Sequence, residues 1–359
     1  MPESFAAILL AHSGEDSLMR QLRDLPLQMR LPARIVAAGP KGLPGADTAR
    51  RFVEAAGMEF EWINVDWDDS AHAWNIALER VREPIAALID SRVRLERGCF
   101  FHLIGALERF AGHGVAAAAA QFRDPQEAER REDPGFWERL FLLRPARPGA
   151  LLSSGFGSRI LPDEIVGFEP FDVSFFQEGG VAAFFCEALL CRPFPEGAAS
   201  IGADPMRLLS AALGRRGRLF LVPRARCLPL ANAAGQSASA QLSARRYDTP
   251  FEAAWTLRAL HPWRFWGALP FGWACLGLAL REAGRLARRP CLENARKAWS
   301  EWGQMLRAFG AVARLASPRR AALRALGNEG AESDLAGWRL SSMVGASLWD
   351  SNGRPAPDE

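Results

Sequence analysis

The chain has 359 residues, 49% hydrophobic and 24% charged, enough apolar content for one large domain or two modest ones. A formal net charge of only +3 gives no reason to expect a nucleic-acid partner. Among its 44 basic residues only Lys41 and Lys297 are lysine, a bias that fits the base composition of a gene better than selection for guanidinium chemistry. Cys99, Cys186, Cys191, Cys227, Cys275 and Cys291 show no Cys-x-x-Cys spacing, which suits buried free thiols in a reducing cytoplasm. The N-terminus lacks the basic-then-apolar pattern of a signal peptide.

Residues 5–122 alternate apolar runs with helical patterns, as expected of a parallel, doubly wound α/β sheet. Residues 5–11 read as the first strand, 12–16 as a polar loop and 18–25 as a helix. Residues 34–38 form a second strand closed by Gly39-Pro40-Lys41-Gly42, followed by a helix near 46–56 and a third strand over 60–65. A helix begins at Ser70. The apolar run 84–89 is a buried strand that ends on Asp90. Residues 91–98 read as a loop, 100–107 as the start of a helix, and 115–122 as a further strand despite its run of alanines. A strand whose last residue is an acid delivers that acid to the open edge of the sheet, where ligands bind in α/β folds.

Beyond this point residues 126–134 are charged and suit the surface, and 137–143 restart an apolar pattern. A second cluster runs through Gly179-Gly180 and an apolar stretch to Ala203-Asp204-Pro205, where Asp204 suits an N-cap with Pro205 at the first helical position. Residues 214–223 read as a helix end, a turn and a strand. After Pro250 the chain becomes helical, aromatic and basic. Sixteen uncharged residues (265–280) are interrupted by Pro270 and three glycines; that is short of the roughly 20 a spanning helix needs. Their arginine flanks suit an element lying at an anionic membrane surface, or else a buried hairpin. From Asn328 the sequence is Gly/Ser-rich and reads as a loosely ordered tail.

The helix carrying Asn75, the strand ending at Asp90 and the Leu95-Glu96-Arg97-Gly98 turn into a helix together resemble the nucleotide-sugar half of family 2 glycosyltransferases. That family's pattern is an Asn-x-Gly-containing helix, an apolar strand ending Asp-x-Asp, and a Leu-Glu-Pro-Gly turn. The resemblance spans residues 5–260 in order. It implies a GT-A-like, mostly parallel central sheet flanked by helices, with a helical C-terminal extension. The implied layout is a transferase domain over 1–250 (nucleotide-sugar half 1–122, acceptor half 123–250), to which the composition adds a helical, basic extension over 251–327 and a tail over 328–359. The implied reaction moves a sugar from a nucleoside-diphosphate sugar to an acceptor hydroxyl with inversion, in cell-envelope glycan or polysaccharide synthesis. The implied place is the cytoplasm, at the inner face of the membrane.

By the same resemblance His12, Asn75, Asp90 and Arg92 would contact the donor. Arg92 stands where the family has its second Asp. A guanidinium cannot ligate a metal, but it forms bidentate bonds with phosphate, leaving Asp90 as the remaining ligand for Mn or Mg. The acid that normally ends strand two is replaced by Gly39, with Asp66, Asp68 and Asp69 as stand-ins or plain loop acids. Gly179 and Gly180 would line the acceptor side. Asp204 would be the general base, although its usual Glu partner is Ala203. Val222-Pro223-Arg224-Ala225-Arg226 follows the family's Val-Pro-x-Ala strand, but the His that usually comes next is absent. Losing that His and the second Asp both point to weakened metal binding. These departures keep open a non-catalytic relative that binds a nucleotide, a glycan or a partner enzyme.

Overall fold

The computed structural model describes residues 3–11, 14–43, 45–65, 70–90, 93–123, 135–143, 149–150, 152–154, 168–176, 180–189, 194, 205–214, 216–229, 268–288, 290–291, 295, 299 and 302–303. The chain divides after Leu315 into two units, and all described residues lie in the first.

Three consecutive strand–helix units open the fold: β1 (Phe5–Leu10) and α1 (Gly14–Asp24), β2 (Arg34–Pro40) and α2 (Ala46–Ala55), β3 (Glu59–Val65) and α3 (Ser70–Glu79). They lead into β4 (Ile85–Ile89), and the four strands lie parallel in the order β3-β2-β1-β4. Every residue of β1 and β4 is buried. These strands therefore read as unbroken apolar runs, as parallel strands covered on both faces must.

Beyond β4 the sheet, expected to be mostly parallel, takes in antiparallel strands from later in the chain. The strand at residues 115–122, β6 (Val115–Phe122), does not touch β4. Between them lies β8 (Val181–Phe185), antiparallel to both. Next to β6 runs β9 (Arg218–Pro229), parallel to it. Two short strands, β5 (Val93–Leu95) and β7 (Phe171–Val173), pair antiparallel with β9. The result is a mixed α/β sheet of nine described strands. An apolar run records burial on two faces but not the partner, which is why β8 could not be placed from residues 5–122 alone.

The loop expected over 91–98 is corrected too. Val93 and Leu95 face the core, Arg94 faces out, and the ladder partner is the end of β9, more than 130 residues away. Three residues of alternation are too few to announce a strand before that partner is known.

Helices cover both faces. On one, Leu18 and Leu22 of α1, Val53 of α2 and Phe100, Leu103 and Leu107 of α4 (Cys99–Phe110) pack on Leu9, Ile35, Ile89 and Ala118. On the other, Trp74 and Ala77 of α3 and Met206, Leu209 and Leu213 of α6 (Pro205–Leu213) pack on Leu10, Leu88, Ala119 and Phe184. A smaller cluster joins Phe141 and Leu143, just past α5 (Phe136–Leu140), to Phe271, Ala274 and Leu278 of α7 (Ala268–Arg288). The approach is close: a Cβ on Gly277 would stand 2.3 Å from Phe141. Trp137 and Trp273 donate their indole N–H groups across it, to the carbonyls of Gly277 (3.2 Å) and Leu140 (2.8 Å). Leu269, Trp273, Leu276 and Leu280 recur at helical spacing on the exposed side of α7. Among the described residues no helix is long and apolar enough to cross a membrane.

Candidate functional site

The strand order fixes where a ligand can sit. From β1 the chain winds outward to β2 and β3, then returns to place β4 on β1's other side. The two crossovers leave in opposite directions, so a crevice opens beyond the carboxyl ends of β1 and β4, the switch point where open α/β sheets bind ligands. Leu9 pairs with Ile89 at that end, so Ala11 and Asp90 both emerge there. Asp90 is buried. Its amide donates to the carbonyl of Gly180 (3.2 Å), extending the β4–β8 ladder by one step. A residue expected on the donor side and one expected on the acceptor side are thus direct neighbours.

The row continues across the sheet. Carrying the β6–β8 register two residues past Ala119–Ala182 sets Gln121 across from Gly180. On its other side Gln121 pairs with Arg226, where β9 carries three extra residues, Pro223, Arg224 and Ala225, as a bulge. Alternation puts Asp90, Gly180 and Gln121 on the face of Leu88, Ala182 and Ala119, the face covered by α3 and α6. Gln121 went unnoticed in the sequence. The available signal was a single polar residue one position before the end of an otherwise apolar strand, a pattern close to the one that singled out Asp90.

Several polar side chains hold this edge rather than line it. Asn75 is 1% exposed. Its amide donates to the Phe194 carbonyl (2.6 Å) and its carbonyl accepts from the Phe194 amide (3.2 Å). Both polar ends are engaged with a residue 119 positions away, ten residues before Asp204. Ser210 of α6 accepts from the Phe176 amide (2.6 Å) and donates to Met206 (2.7 Å), fixing the chain just before Gly179-Gly180. Gln28 donates to the Glu96 carbonyl (3.0 Å) and accepts from the Phe100 amide (3.3 Å), bracing the turn between β5 and α4.

Gly39 has a steric explanation. A Cβ there would stand 2.5 and 2.8 Å from the Trp62 ring and 3.2 Å from the Ala11 Cβ. The indole, whose N–H donates to the Asn64 side chain (3.0 Å), occupies the space an acid at the end of β2 would need. Beneath the row, Cys99 and Cys227 are fully buried. Burial, with Glu96 nearby, pushes the Cys99 thiol up to about 12. Burial also raises Cys227, with the neighbouring Cys99 and Asp90 adding to the shift. Cys186 and Cys275 are half-buried, whereas Cys291 is exposed and departs from the expectation of buried thiols.

His12, Asp66, Asp68, Asp69, Arg92, Gly179, Cys191, Ala203 and Asp204 lie outside the described residues. So does the tail at 328–359, while α6 begins at the residue after Asp204. Among the described residues no group of three His, Cys, Asp or Glu could hold a metal ion. Asp90 alone supplies at most two of the six oxygens a Mg or Mn site requires, so the described residues do not by themselves fit a metal.

No family model matches the sequence, and no curated protein matches it. Among solved structures the chain is similar to S. aureus TarS 1–349 in complex with UDP-GlcNAc, at 12% identity over 89% of this chain and 82% of that one, TM-score 0.49. It is similar to the mannosyltransferase PcManGT from Pyrobaculum calidifontis in complex with GDP-Man and Mn2+, at 17% identity over 98% and 88%, TM-score 0.44. It is also similar to GalNAc-T7 with UDP, GalNAc and Mn2+, at 11% identity over 65% of this chain, TM-score 0.45. The chain spans 44% of the length of that last protein.

Proposed function

We propose that this chain is a GT-A-like glycosyltransferase that moves a sugar from a nucleoside-diphosphate sugar to an acceptor hydroxyl with inversion. One observation carries the reading: Asp90 reaches the β1/β4 switch point and is joined there by a backbone hydrogen bond to Gly180, at the head of the strand that begins the second half of the sheet. In the proposed reaction the acceptor oxygen attacks the anomeric carbon as the bond from that carbon to the diphosphate oxygen breaks. The nucleoside diphosphate leaves with the bonding electron pair, and Asp204 takes the acceptor's proton. The Arg92 guanidinium stabilises the charge that builds on the departing diphosphate. Asp90 orients the donor, and no step requires a metal. The exposed stripe of α7 and the arginines near it suit contact with an anionic membrane surface, which would favour a lipid-linked or envelope glycan as acceptor.

The test is transfer from a panel of UDP- and GDP-sugars, with and without manganese, by the wild type and by Asp204→Asn. A positioned base contributes about 10²–10⁴-fold. The variant should bind donor with its melting temperature raised as in the wild type, yet turn over at least about 100-fold more slowly. Full turnover in the folded variant would reduce Asp204 to a helix cap. Donor binding with no turnover by the wild type would make the chain a non-catalytic binder, and strict manganese dependence would remove Arg92 from the role given to it.

A further inference from the structure

Gln121 is 2% exposed, and its side-chain Nε2 is buried without a hydrogen-bond partner. Buried amides are rarely left so, because the lost hydration is not recovered. The residue sits at the carboxyl end of β6, and across β8 from it stands Asp90. The residue between them, Gly180, has no side chain. On this face of the sheet an acceptor and an unpaired donor therefore project side by side, two strand spacings or roughly 10 Å apart, with bare backbone between them. A pyranose measures about 5 Å between opposite hydroxyl oxygens, and a hydrogen bond of about 2.8 Å at each end brings the span to roughly that separation.

We infer that Gln121 is a sugar-contacting residue: its amide N–H₂ donates to a hydroxyl or ring oxygen of the donor's sugar, whose far side faces Asp90. This rests on the glycosyltransferase reading and adds to it a residue that selects the sugar rather than the nucleotide. A neutral donor suits a hydroxyl. The anionic diphosphate has Arg92, two positions past Asp90, as its counter-charge.

Two variants separate this role from a merely structural one. Gln121→Met removes the unpaired donor and keeps the volume; Gln121→Glu keeps the shape and replaces the donor with an oxygen. Melting temperature is followed for each with a nucleoside diphosphate alone and with the matching nucleotide sugar. In the wild type the nucleotide sugar should stabilise more than the bare diphosphate. Both variants should keep the diphosphate shift and lose the extra shift due to the sugar, with affinity for the nucleotide sugar about tenfold weaker. Gln121→Met without ligand should melt no lower than the wild type. A sugar-dependent shift that survives in both variants, or is absent from the wild type, would overturn the assignment of Gln121 alone. A wild type that binds neither ligand would overturn the transferase reading and this assignment with it.

Discussion

The sheet on one side of β4 is assembled very differently from the sheet on the other. From β3 to β4 every strand is parallel, each is linked to the next by a single helix, and residues 5–65 complete three strands and the two helices between them before any distant segment is needed. From β8 to β5 the strands come from five separate places between Val93 and Pro229, mostly antiparallel, with a bulge where β9 passes β6. The first side lines the crevice with small residues, Ala11 and Gly39. The second brings Gly180, Gln121 and Arg226. Short crossovers set register on the first side by themselves. On the second side long-range polar clamps take over that task, and Asn75, Ser210 and Gln28 reach 119, 34 and 68 residues along the chain to do it.

The sharpest way to break this contrast is to cut a clamp. Asn75→Ala strands the amide and carbonyl of Phe194, and leaving buried groups unsatisfied costs about 1–3 kcal/mol each. A loss of about 2–4 kcal/mol in urea unfolding is expected, together with slower transfer, while nucleotide binding on the parallel side persists. Unchanged stability would mean the second side holds its register without Asn75.

The parallel side should answer to shape rather than to clamps. Gly39→Asp drives a carboxylate into the Trp62 ring and should cost about 1–3 kcal/mol. Trp62→Ala in the same chain opens that space, so the two changes should combine to less than their sum in a double-mutant cycle. Strict additivity would show that the indole is not what excludes an acid at the end of β2.

The smallest effect probes how dry the seam of the second side is. With its thiol pushed up to about 12, Cys99 stays protonated in the folded chain, whereas an unfolded thiol ionises near 9.0. Above that pH the unfolded state holds fewer protons than the folded one, so this group's contribution makes stability fall as pH rises from about 9 towards 12. At pH 8 iodoacetamide should modify exposed Cys291 quickly and leave Cys99 and Cys227 untouched for as long as the chain is folded. Mass spectrometry of the labelled peptides reads the outcome, and rapid labelling of Cys227 would show that the seam opens.

By itself the sequence determined the local units. Its unbroken apolar runs specified β1, β2, β4 and β6, its helical periodicity specified the intervening helices, and a lone acid ending a strand marked Asp90 for the edge of the sheet. These follow from rules that act within about ten residues, where burial and period are written directly in residue order. Tertiary structure alone decided that β8 separates β4 from β6, that Val93–Leu95 make a strand with the end of β9, and that Asn75 holds Phe194. It also decided that Trp62 explains Gly39 and that Gln121 shares a face with Asp90. Each of those depends on a partner tens to more than a hundred residues away. Hydrogen-bond capacity and side-chain volume are legible in a residue's name, but the group that meets them is set only when distant segments pack together.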